Sequence, residues 1–190
     1  MEVPRLEVMV FAAKLLMQDK RYQDAVTVLK GAQGLNKFNY NTEADKMISE
    51  DLGTCYLYLG CKEEALENFQ KCHTLSEALY GAEDEKTIKS LTYVGFALHK
   101  LDRGREALSY YERAEAFSRT FLGPEHKVTA DCMEWMGMVN ITLRQYARAL
   151  SFYKKAKPLY EKIYGPNGAM TKQCSSAIEA CRTALKQKRK

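Results

Sequence analysis

The sequence predicts an all-α fold built from repeated helical hairpins. Two observations predict it. Glycines punctuate the chain at Gly81, Gly123 and Gly165, each 42 residues from the next, and a threonine follows each by six, at Thr87, Thr129 and Thr171. Small residues recur at the same period inside the intervening segments, as Gly53, Gly95 and Gly137 and as Ala65, Ala107 and Ala149. A fixed period of this length is the mark of stacked supersecondary units, each unable to bury its apolar face alone.

Each unit reads as two antiparallel helices joined by a short turn such as "LGCKEEA" or "LDRGREA". Glycine inside a helix costs about 0.5–1 kcal/mol relative to alanine. Three such glycines in one register therefore imply that a side chain would obstruct something. The expected obstruction is the backbone of the neighbouring helix, with Ala65, Ala107 and Ala149 facing the glycines. Phe69, Tyr111 and Tyr153 then fill the next layer, and Cys72, Ala114 and Ala156 follow three residues on. Steps of four and three keep these residues on one helical face.

The second helix of each hairpin should end at the 42-spaced glycine in a left-handed cap. Pro124 and Pro166 directly after it block continuation, and Asp84, Glu85 and Glu125 suit the positive start of the next helix. The first unit fits at a spacing of 40, with Ala13 in the glycine place and Ala25 in the alanine place. The closing stretch "CSSAIEACRTALKQKRK" reads as a last helix. Its apolar face is Ala177, Ile178, Cys181, Ala184 and Leu185, and it is expected to cap the final hairpin.

Composition narrows the function. Six cysteines include no CxxC pair, and Cys72–His73 lacks paired ligands at zinc spacing, so the thiols are read as small packing residues. No metal or other cofactor is expected. No phosphate loop, dinucleotide fingerprint or recurring catalytic set appears, so no enzyme activity is expected. The longest obvious apolar run, Val8 to Ala13, is too short to span a bilayer, and a cytoplasmic location is expected. Net charge is +5 but uneven: residues 1–95 hold 11 basic and 15 acidic residues, residues 96–190 hold 18 and 9. The basic second half, with its KQKRK end, leaves RNA binding as the alternative function, though the groove lacks the aromatic ladder that reading needs. A third reading buries a terminal repeat in an oligomer.

The combined ladders resemble the tetratricopeptide repeat. The copies read Leu52-Gly53-Tyr56 with Ala65-Phe69-Cys72, Val94-Gly95-Leu98 with Ala107-Tyr111-Ala114, and Met136-Gly137-Asn140 with Ala149-Tyr153-Ala156. Ala12-Ala13-Leu16 with Ala25-Leu29-Ala32 matches less closely. The 42-residue period, the "YG" or "LG" ends and the "GPEHKVTA" entry resemble the longer-helix branch that includes kinesin light chains and nephrocystin-type proteins. The resemblance implies a single right-handed α-solenoid, or superhelix, of about four hairpins (residues 5–34, 44–81, 86–123 and 128–165) plus a capping helix over 169–187. It implies a non-enzymatic adaptor or scaffold for protein partners, linked to motors, the cytoskeleton or cilia.

Groove positions carried over from the family are Met47, Glu50, Thr54, Leu57 and Tyr58 in one unit. The next unit supplies Lys89, Thr92, Phe96, His99 and Lys100, and the third Asp131, Glu134, Met138, Ile141 and Thr142. The Lys89, His99 and Lys100 set around Phe96 would suit a peptide with an acidic residue and an apolar anchor.

Overall fold

The computed structural model describes residues 6–39 and 41–187, the side chains of 38 and 39 excepted. Residue 5 of the first expected hairpin and Lys188, Arg189 and Lys190 of the basic end lie outside them. Among the described residues there are nine α-helices and no strands. They are α1 (Leu6–Gln18), α2 (Tyr22–Asn39), α3 (Thr42–Leu59), α4 (Lys62–Tyr80), α5 (Glu85–Lys100), α6 (Gly104–Phe117), α7 (Lys127–Thr142), α8 (Tyr146–Tyr164) and α9 (Ala169–Gln187). A π-helical turn, Ser118–Leu122, extends α6.

The chain forms two compact units. In the first, residues 1–82, the hairpins α1–α2 and α3–α4 pack through α2 and α3. In the second, residues 83–190, the hairpins α5–α6 and α7–α8 pack through α6 and α7, and α9 lies on α8. The apolar face read for α9 is the one turned inward. Ile178 and Cys181 are buried in one cluster with Ala149, Tyr153 and Ala156, and Ala177 packs against it.

The interior glycines admit aromatic rings. A Cβ on Gly53 would lie 2.6 Å from the Phe69 ring, on Gly95 3.0 Å from Tyr111, and on Gly137 2.8 Å from Tyr153. The obstruction is thus the ring sixteen residues on, lying flat against the glycine, and not the neighbouring backbone. Ala65, Ala107 and Ala149 are fully buried one turn before each ring. The reason is leverage: an aromatic side chain reaches back toward the N-terminus of its own helix and covers the turn before it.

Two kinds of turn join the helices. Inside each hairpin the first helix ends in the same bond pair. Lys20, Gly60, Asp102 and Arg144 donate to the carbonyl three residues back, and Arg21, Cys61, Arg103 and Gln145 to the carbonyl five back. This is the Schellman arrangement, whose terminating residue needs positive φ. Only Gly60 is glycine there. Lys20, Asp102 and Arg144 adopt φ of 60°, 59° and 56°.

Between hairpins, Gly81, Gly123 and Gly165 have φ of 83°, 111° and 76° with ψ of 166°, 155° and 170°. The sign of φ is as the sequence implied, but extended ψ puts these glycines outside the left-handed helical region, in a region reserved for glycine. The extended ψ turns the glycine carbonyl toward the next helix. There Thr129 Oγ1 donates to Gly123 O at 3.0 Å and Thr171 Oγ1 to Gly165 O at 2.9 Å. Thr87 is buried at the same place. The six-residue Gly-to-Thr spacing is therefore a hydrogen-bonded latch. The next helix is capped by the Asp84 carboxylate, which accepts from Lys86 N at 2.8 Å, or by His126 Nδ1, which accepts from Val128 N at 3.3 Å.

All six cysteines are free, and five are buried. Burial pushes the Cys55 and Cys72 thiols up to about 11, away from the reactive thiolate.

Two consequences are measurable. Gly95→Leu should destabilise by about 1–3 kcal/mol through overpacking against Tyr111. Shortening the ring residue as well, in Gly95→Leu with Tyr111→Ala, should cost less than the two single changes added. Additive losses in denaturant titrations would separate the glycine from the ring. Arg144→Gly should raise stability by about 1 kcal/mol, because a side chain in the left-handed region is strained. An unchanged or lowered thermal midpoint would refute that.

Candidate functional site

The residues singled out from sequence lie on the first helices of three hairpins. In the first compact unit, α3 carries Met47, Glu50, Thr54, Leu57 and Tyr58. Glu50 pairs with Lys46 at 2.8 Å, and Thr54 donates its hydroxyl to the Glu50 carbonyl of its own helix at 3.0 Å. Tyr58 is exposed and stacks on Tyr22, with ring centroids 4.4 Å apart and planes 3° from parallel. Met47 borders an apolar groove of about 330 Å³ with Leu6, Val10 and Phe11.

In the second unit, α5 and α7 lie side by side and bring several of the remaining residues together. Phe96 and Trp135 meet in a T-shaped arrangement with ring centroids 4.9 Å apart, and Trp135 lies parallel to Tyr111 at 6.2 Å. The Lys100 ammonium sits 5.0 Å from the centre of the Phe96 ring, within the range of a cation–π contact. His99 Nε2 and Thr142 Oγ1 are 3.0 Å apart. Burial first, and then the charge of Lys100, hold the His99 imidazole below its ordinary value, so it is neutral at pH 7. Lys89 pairs with Glu85 one turn back, at 2.5 Å. Thr92 turns its hydroxyl onto the Lys89 carbonyl at 2.6 Å. Met138 and Ile141 are half-buried on α7.

Asp131 and Glu134 form a different environment. Glu134 is only 3% exposed. The Tyr160 hydroxyl of α8 lies 2.7 Å from both Asp131 Oδ1 and Glu134 Oε2. Tyr160 donates to either carboxylate, so the two carboxyls share one phenolic proton. Burial, the largest influence, raises the Glu134 carboxyl above its ordinary range, and the Asp131 charge adds to it. Asp131 is instead held by Lys127 at 2.5 Å. The Glu134 side chain thus belongs to the α7–α8 contact more than to an open groove.

Sequence reasoning missed Trp135 and Tyr160. Both had a signal. Trp135 is the chain's single tryptophan, and it falls where the other units carry Phe11, Asp51 and Tyr93. Tyr160 stands where the other units carry Asn36, Ser76 and Ser118. Among the described residues no cluster of His, Cys, Asp and Glu could hold a metal ion, and no helix is long and apolar enough to cross a membrane.

The Glu134 pairing has a pH signature. A raised carboxyl favours the fold while protonated, and that advantage is lost as pH rises from the ordinary value of 4.5 through the raised one. Glu134→Gln should therefore flatten the loss of stability over that window and match or exceed the wild-type thermal midpoint at pH 7. A variant that is less stable at pH 7 but not at pH 4 would show that the carboxylate is the favoured form.

Comparison with known proteins agrees with this architecture. No curated protein matches the sequence. Among solved structures, a putative kinesin light chain from Podosopora anserina, with nearly identical TPR-like repeats, superposes with a TM-score of 0.81 at 17% identity, covering 100% of this chain and 91% of that one. BtubC (BKLC) from P. vanneervenii gives a TM-score of 0.81 at 16% identity over 94% of this chain and 72% of that one. A Rap protein complexed with competence and sporulation factor gives 0.73 at 13%, over 93% of this chain and 47% of that one. The tetratricopeptide repeat pattern matches residues 43–120 and again 87–162, together more than half of the 190 residues. With its hairpins, glycine ladder and period all of that kind, the chain belongs to the tetratricopeptide repeat family.

Proposed function

We propose that this protein is an interaction scaffold that holds a partner's peptide against the α5–α7 face. The observation that carries the reading is the Phe96–Trp135 pair with Lys100 over the Phe96 ring. An aromatic surface rimmed by a cation accepts an apolar side chain and an adjacent carboxylate from one short segment. His99 and Thr142 offer polar contacts on the same two helices. The face of α3, with Tyr58 stacked on Tyr22, is a second aromatic surface of the same kind in the other unit.

The Rap protein that shares this fold was solved with a bound factor, which supports ligand binding as a use of such arrays. A setting among motors, the cytoskeleton or cilia rests on the sequence resemblance alone. RNA binding has less support, because Thr54 and Met138 stand where Phe96 would need aromatic counterparts.

The test is an affinity pull-down with wild type beside Lys89→Glu/Lys100→Glu, the bound proteins identified by mass spectrometry. The double variant should keep its helicity and lose the partner, with binding weakened about tenfold or more. Partners held equally by both proteins would move the site off this face, and recovery of RNA in place of protein would overturn the reading.

A further inference from the structure

Three large apolar side chains stand out on α1. Val8, Phe11 and Leu15 are 58%, 63% and 47% exposed. Their spacing of three and four places them on one side of the helix. Aligning Ala13 with Gly53 and Gly137 puts Val8 in register with Ile48 and Cys132, and Leu15 with Cys55 and Val139. All four of those residues are fully buried.

What buries them is the second helix of the hairpin before. Ile48 and Cys55 share a cluster with Ala25, Leu29 and Ala32 of α2. Cys132 packs with Ala114 of α6, and Val139 comes within 3.3 Å of where a Gly104 Cβ would be. This face of a first helix is built for helix contact, and among the described residues it is exposed only on α1.

The flanking charges say what covers it. Glu7 and Lys14, both exposed, run along the stripe two turns apart, on the side away from Val8 and Leu15. Phe11 lies close to the midpoint of both pairs. Two α1 helices laid antiparallel about a two-fold axis near Phe11 would set Val8 of one beside Leu15 of the other. The same operation sets Glu7 of one beside Lys14 of the other. A parallel pairing would carry the charged flank to the other side of the contact and set Glu7 and Lys14 against the partner copy's Val8 and Leu15. A head-to-tail stack would require an apolar outer face on α9, where Lys172, Ser176, Glu179, Arg182 and Thr183 are exposed.

We infer that the exposed stripe of α1 is a self-association surface, through which two copies of this chain pair antiparallel about a two-fold axis. The contact is isologous and closes at two copies. It uses no residue of the α5–α7 face, so it stands or falls independently of peptide binding. One helix per copy gives an interface below about 1,200 Å², at the small end of specific contacts, so the dimer is weak.

Sedimentation velocity on the full chain from about 1 μM to about 1 mM spans the affinities such an interface reaches. The wild-type mass should rise from monomer toward dimer across that range, and Phe11→Glu should remain monomeric throughout. Glu7→Lys and Lys14→Glu should each weaken association by roughly tenfold, and the two together should restore it by exchanging the charges. Circular dichroism should show native helicity for every variant, because all three positions are exposed. Phe11→Ser, smaller and uncharged, repeats the test if the glutamate lowers it. A wild type that stays monomeric, a mass beyond two copies, a dimer that survives both Phe11 changes, or a charge exchange that fails to restore pairing would each overturn the assignment.

Discussion

A missing methyl group sets how closely the two helices of each hairpin approach. At Gly53, Gly95 and Gly137 an aromatic ring from the second helix lies where a Cβ would stand. The ring gains contact with the backbone of the first helix, and its own helix is drawn in behind it. Ala65, Ala107 and Ala149, one turn before each ring, are fully buried by that approach. Interior glycine costs helix stability, about 0.5–1 kcal/mol each. Burial of a Phe or Tyr ring, on the order of 1.5–3 kcal/mol, offsets it.

Close hairpins demand turns of fixed shape, and the chain meets that demand in two ways. The turn inside a hairpin repeats one pair of backbone hydrogen bonds, and its left-handed residue is Lys20, Gly60, Asp102 or Arg144. The turn between hairpins uses a backbone conformation that only glycine adopts readily, and a threonine hydroxyl from the next helix closes it. Identity is thus fixed where the backbone geometry excludes side chains, and drifts where the strain of a left-handed residue is tolerable.

With hairpins and turns fixed, the first helices α5 and α7 lie side by side, and their side chains acquire neighbours that no single helix supplies. Phe96 gains Trp135 and Lys100, and His99 gains Thr142. The same placement removes Glu134 from the open surface, because Tyr160 of α8 reaches it from behind. One helix face therefore carries an aromatic, cationic surface and, a few residues away, a buried carboxyl held by a tyrosine of the next helix. Residues at equivalent repeat positions share a backbone environment and differ in chemistry according to what the adjacent helix presents.

The hairpin order, the punctuating glycines, the aromatic layer and the capping helix were legible in the sequence, because each follows from local rules repeated at one period. Ala65, Phe69 and Cys72 announce a helix face by spacing alone, and Gly123 followed by Pro124 announces a stop. The partner of each glycine was not legible. Whether Gly53 makes room for a backbone or for the Phe69 ring depends on the distance between two helices, which spacing along one helix does not contain. The Thr129 latch, the extended ψ of Gly123 and the Tyr160–Glu134 contact were hidden for the same reason, since each joins segments whose relative placement comes from packing. Thr54 and Thr92 looked like groove residues by position, yet their hydroxyls bond their own helix. A repeat sequence states which residues share a face. The meeting of two faces decides which of those residues are covered, which are paired and which remain for a partner.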